Sequence, residues 1–156
     1  MIQMRFPGSW IKKLIKKSWH SIFLKRMQKI SIQKFLPGIA WFFIILVVTF
    51  LPGRDIPEVG WLDKIYFDKW VHVGLFGGLT FLFCLPFYKS GFSNQKRTNY
   101  FIKIAVSASI WGLTIEFIQR FYIAGRSFDL LDWAADSVGA FIALWFCRKK
   151  FMKPGS

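Results

Sequence analysis

Five carboxylates fall inside or at the ends of apolar runs, where such groups are costly and have reason to be there. The stretch from Thr114 to Ala143 holds four of them. Glu116 and Gln119 lie three apart near the end of one run, and Asp129, Asp132 and Asp136 follow at i, i+3 and i+7 in the next, so each set shares one helix face. A Gly-Arg-Ser turn carrying Arg126 separates the two runs. An earlier run opens DKWVH, which brings Asp68, Lys69 and His72 within little more than one turn. His72 is the residue suited to general acid or base work, with Asp68 four residues before it to bind the imidazole and set its tautomer. Glu116 and Asp132 would be its companion carboxylates. Lys69 and Arg126 offer positive charge to a phosphate or carboxylate, the Arg fork being shaped for two parallel hydrogen bonds. Gln119, Asp129 and Asp136 complete a candidate ligand-binding set. No cofactor is named by the pattern, although the acids would suit a divalent cation. The chain shows no zinc-ligand spacing, no Ser or Cys nucleophile motif and no phosphate-binding Gly loop.

Each feature has a plainer explanation. Asp68 and Asp129 stand in the first turn of a helix, where a carboxylate meets free N–H groups and the positive dipole end, and Ser127 is a natural N-cap. Lys69 and Arg126 could balance nearby acids, and Asp136 could fix helix packing through one interhelical bond.

Elements must hold these residues, and composition says what kind. The 156 residues are 54% hydrophobic and 20% aromatic, with 22 Lys plus Arg against 8 Asp plus Glu. Apolar runs long enough to cross a bilayer argue for four spans: Phe35 to Gly53, Asp68 to about Tyr88, about Tyr100 to Phe121, and about Phe128 to Cys147. The fold expected is all-α, an integral membrane bundle of four transmembrane helices over 35–147, preceded by a basic amphipathic segment (1–34) and followed by a basic tail (148–156). The first span is too long for a signal-peptide core and no small-x-small cleavage site follows it, so it reads as a retained helix.

Within the bundle, small residues mark the contacts. Ala105, Ala108, Ser109 and Gly112 continue the Glu116 and Gln119 face, and Gly139, Ala140 and Ala143 continue the aspartate face. Leu131, Val138, Ile142 and Trp145 occupy the opposite side. The third and fourth spans should therefore form a close antiparallel pair with their acids meeting at one end. Gly74 and Gly78 offer a small-xxx-small surface on the second span. Cys84 and Cys147, with no CxxC spacing and no second thiol nearby, read as buried packing residues.

Charge gives the orientation. Nine basic residues lie in the N-terminal stretch, four in the second loop and four at the C-terminus, with no acid among them. All eight acids lie in the other loops and the helix ends beside them. By the positive-inside bias both termini are cytoplasmic, and the polar cluster is extracytoplasmic. The net charge of +14 is segregated by hydropathy, which points to anionic lipid at the N-terminal segment and not to nucleic acid.

Three blocks, Asp68-Lys69-x-x-His72, Glu116-x-x-Gln119 and Gly125-Arg126-Ser127-x-Asp129-x-x-Asp132 with Gly139 beyond, resemble the VanZ-like family of small integral membrane proteins over residues 37 to 147. Members of that family commonly carry Asn where this chain has Asp136. The resemblance implies a bacterial inner-membrane protein, and its founding member is associated with low-level resistance to the glycopeptide teicoplanin. The leading expectation is an envelope protein whose polar site recognises an anionic lipid or cell-wall-linked ligand. The rivals are a membrane-embedded enzyme acting on a phosphorylated lipid head group and a structural subunit of a membrane complex. Membrane lipids are the expected partners, with room for a homo-oligomer or an envelope protein partner.

Overall fold

The computed structural model describes residues 13–18, 30–50 and 66–152. Residues 13–18 are helical and exposed, while the remainder of the basic amphipathic segment before Ile30, the first loop and the chain beyond Met152 lie outside the described residues. Four helices follow: α1 (Leu36–Thr49), entered through a 3-10 turn at Ile32–Phe35; α2 (Phe67–Cys84), extended by another at Leu85–Phe87; α3 (Asn94–Tyr122); and α4 (Leu130–Phe151). With those extensions, all four are long and apolar enough to cross a membrane, and the protein is a multi-pass, all-α membrane bundle.

The distribution of side chains is that of a lipid-embedded fold. Phe43, Ile110, Val138, Ile142 and Trp145 face outward, whereas small and polar residues, among them Ala105, Ala108, Gly112, Glu116, Asp136 and Gly139, turn inward. Lipid tails are as apolar as a leucine side chain, so helix association must come from close packing and interhelical hydrogen bonds.

The tightest approach joins α2 and α4, which run parallel. Lys69 meets Asp129 where both helices begin, and Phe81 meets Phe151 where both end. Gly139 makes the crossing possible, because a Cβ there would collide with the carbonyl of Val73. Helix α3 packs antiparallel on α4 as expected: Ser109 and Ser137 hydroxyls hydrogen-bond at 2.7 Å, and the Trp133 indole donates to the Ser109 carbonyl at 3.1 Å. Helix α1 lies on α2, where the Trp41 indole donates to the Leu75 carbonyl at 2.9 Å.

The expected Gly74/Gly78 surface is divided in the structure. Gly78 receives the Trp41 indole, Gly77 meets Gly139, and Gly74 faces open space. A helix contacted from two sides cannot present one continuous glycine stripe to a single neighbour.

Helix α3 starts about two turns before the expected boundary. Ser93 caps it, accepting from the Lys96 N–H, and at about 1.5 Å per residue its 29 residues run to roughly 43 Å against a hydrocarbon core of about 30 Å. Hydropathy marks the embedded part of a helix, not its ends. Helix α4 likewise continues past Cys147 to Phe151, so Arg148, Lys149 and Lys150 form its last turn, where cations suit the negative dipole end.

Two further departures concern buried polar groups. Arg97, counted above among loop charges, is 1% exposed, and its guanidinium donates at 2.6 Å to each of the Phe151 and Ser90 carbonyls. The two cysteines are buried in one cluster with Phe87, Phe101 and Phe151. A second thiol is therefore close by in space, though far off in sequence.

Candidate functional site

The polar site occupies the end of the bundle where α2 and α4 begin and α3 finishes. Asp129 is the N-cap of α4, in place of the expected Ser127. Its backbone is extended (φ −122°, ψ 109°), and one carboxylate oxygen accepts the Leu131 N–H at 2.8 Å. The other accepts from Lys69 Nζ at 2.6 Å. Lys69 also pairs with Asp68 at 2.8 Å and with Asp132 at closer range. That ammonium hydrogen bond holds the Asp129 carboxyl below the usual carboxylate range. The turn before α4 is set by Gly125, whose φ of 76° favours a residue without Cβ. Arg126 sits half-buried in this turn, its backbone N–H donating to the Ile123 carbonyl at 3.3 Å.

One turn deeper in α2, His72 Nδ1 pairs with Asp136 Oδ1 at 2.8 Å, and Nε2 stands 3.8 Å from Asp132 Oδ1. The carboxylate that orients the imidazole is thus Asp136 of α4, not Asp68. Asp68 is 60% exposed and gains little from an imidazole, whereas Asp136 is 1% exposed and must find a partner.

Glu116 comes from α3 and is fully buried. Its Oε2 accepts the Asp129 N–H at 2.8 Å, tying the end of α3 to the start of α4. Gly112, one turn before it, leaves the space that Asp136 fills. Two buried oxygens of this set, Glu116 Oε1 and Asp136 Oδ2, receive no hydrogen bond from any described residue.

The structure therefore brings together Asp68, Lys69, His72, Glu116, Asp129, Asp132 and Asp136. Gln119 serves elsewhere: its amide donates to the Thr49 carbonyl at 2.7 Å, closing the C-terminal end of α1 against α3. Lys69 is not presented as an anion clamp, because three carboxylates already surround its ammonium and would repel an incoming phosphate. The same arrangement bears on the divalent cation. Lys69 Nζ takes the central position among the aspartates, and among the described residues no three His, Cys, Asp or Glu side chains converge as a metal would need.

Sequence reasoning missed Ser109, Ser137 and Trp133 as interhelical hydrogen-bonding groups and Thr49 as the acceptor for Gln119. Polar residues on small-residue faces were the available signal for Ser109; a backbone carbonyl leaves none. No protein-family model, curated protein or solved structure matches this chain.

Proposed function

We propose that this protein is a VanZ-like component of the bacterial inner membrane, with both termini cytoplasmic, whose polar site recognises a lipid or cell-wall-linked ligand from the extracytoplasmic side. The observation that carries the reading is the pair of buried carboxylate oxygens, Glu116 Oε1 and Asp136 Oδ2, that no donor among the described residues meets. Acceptors left in this state cost free energy unless something supplies a donor. A ligand bringing hydroxyl or amine donors to the acids, and an anionic group to the neighbouring Arg126, fits both charges of the site. Head groups of phospholipids and of lipid-linked cell-wall material have that character.

Orientation rests on the charge bias. A reporter active only in the cytoplasm should work when fused after Lys153 or within residues 90–98 and fail within 55–64. Cytoplasmic activity from 55–64 would reverse the topology and move the site to the inner leaflet.

The membrane-embedded enzyme acting on a phosphorylated head group is a second reading, favoured by the His72–Asp136 pair. A carboxylate on Nδ1 fixes the imidazole and leaves Nε2 to exchange a proton with substrate. Asp132→Asn and His72→Gln separate the classes. Asp132→Asn keeps the shape of the side chain and leaves Lys69 its pairs with Asp68 and Asp129, so for a packing role it should cost far less than loss of the ammonium itself. Under the ligand reading, both variants insert and accumulate normally but fail to restore the parent's effect in a deletion strain, scored for envelope phenotypes that include teicoplanin susceptibility, the one associated with the family's founding member. Under the enzyme reading, His72→Gln would abolish turnover while leaving lipid retention intact. Full restoration by both variants would favour a structural subunit.

A further inference from the structure

At the other end of the bundle α1 and α3 part company. They touch where the Phe42 and Trp111 rings meet at 5.2 Å, and below that contact a cleft of about 420 Å³ opens between them, with Leu79 and Phe83 of α2 as its floor. Phe35 closes the far end, packed on Phe83 and Phe87. The volume lies within the range of about 300 to 1,000 Å³ typical of small-ligand sites.

The α3 wall is one helical stripe: Tyr100, Lys103, Ser107 and Trp111 recur at i, i+3, i+7 and i+11. Three of these suit an acyl chain and its ester region. Lys103 does not suit hydrocarbon: it is exposed beside apolar walls and makes no ion pair with any described residue, whereas Lys69, at the opposite end of the bundle, has three. A lysine this close to the end of a span extends its ammonium toward the head-group layer. An apolar slot open to lipid, with a cation at its mouth on the side of the basic loop, has the shape and charge of a seat for one phospholipid.

We infer that the α1–α3 cleft binds an anionic phospholipid of the leaflet on the second-loop side, one acyl chain lying between Phe42 and Phe35 and the phosphate on Lys103. On the topology proposed above this is the cytoplasmic leaflet. The seat is independent of the polar site, which lies at the opposite end of α2. Occupied, it would supply at this end of the bundle the contact that α1 and α3 make only at and beyond the Phe42–Trp111 pair.

The test uses the full chain purified in mild detergent and reconstituted in nanodiscs of phosphatidylcholine with phosphatidylglycerol, with lipid retained after transfer to detergent counted by native mass spectrometry. The parent should keep one phosphatidylglycerol in preference to phosphatidylcholine. Lys103→Gln should cut that preference on the order of tenfold, the worth of one charge-assisted hydrogen bond. Ser107→Trp, which fills the cleft from an exposed position, should lose both lipids. Lys96→Gln, on the same helix but outside the cleft, should behave as the parent. A parent that retains neither lipid or shows no preference, a Ser107→Trp protein that still holds its lipid, or equal losses from Lys96→Gln and Lys103→Gln would each overturn the assignment.

Discussion

Replacing Lys69 by methionine is expected to cost about 3 to 5 kcal/mol, the range found when one member of a buried ion pair is removed. The Lys69 side chain is 18% exposed and its closest partner, Asp132, 15%. Deleting the ammonium would leave both Asp132 and Asp129 facing each other without a cation, at the point where α2 and α4 meet. Asp68, being largely exposed, contributes little to the effect. The check is thermal unfolding in detergent, with the double variant Lys69→Met/Asp132→Asn alongside. Removing the stranded charge as well should recover part of the loss, and the non-additivity measures the pair. A loss below about 1 kcal/mol would mean that these are ordinary surface ion pairs, with no hold on the bundle.

Arg97→Ala should be nearly as damaging at the opposite end. Its two 2.6 Å bonds close the last turn of α4 and the loop before α3, and a bond from a charged group contributes about 1.5 to 3 kcal/mol. The combined loss should be about 3 to 6 kcal/mol, read again as a fall in unfolding temperature. Arg97→Lys should recover only part of it, since a single ammonium on a flexible stem does not reproduce the planar fork that meets both carbonyls. A silent Arg97→Ala would show that water replaces the guanidinium at no cost.

The contrast between these two residues shows what a linear reading can and cannot reach. In a bilayer, helix faces are sorted by polarity, so the period of 3.6 exposes them: the inward course of Glu116, Gln119, Asp132 and Asp136, and the outward course of Leu131, Val138, Ile142 and Trp145, hold in the structure. The number of helices follows from the same inversion. Partner choice across helices does not. Spacing offers Asp68 to His72, and only the crossing of α2 over Gly139 brings Asp136 there instead. Gln119 carries the right chemistry for a ligand site but stands one turn too far along α3, opposite the end of α1. Arg97 looks like any loop charge until α3 is seen to begin at Asn94 and to bury it. Cys84 and Cys147 are 63 positions apart in the chain and share a cluster because α2 and α4 run parallel.

These corrections sharpen the site and narrow what it can hold. Lys69 is enclosed by the acids, and Asp136 and Glu116 present acceptors, with Arg126 in the turn before α4. On the function proposed above, a ligand would need both an anionic group and a hydrogen-bond donor on the same head group.

Binding of such a lipid by parent and Arg126→Lys proteins tests this most directly. Short-chain phosphatidylglycerol, which has a phosphate and two hydroxyls, would be titrated at matched protein concentration in the Ser107→Trp background, so that the α1–α3 cleft does not contribute. An Arg fork gripping the phosphate should lose one charge-assisted bond, about 1.5 to 3 kcal/mol or roughly ten- to a hundred-fold in affinity, on change to lysine. Equal affinity in the two proteins would remove the clamp, and with it the case for an anionic ligand at this end of the bundle.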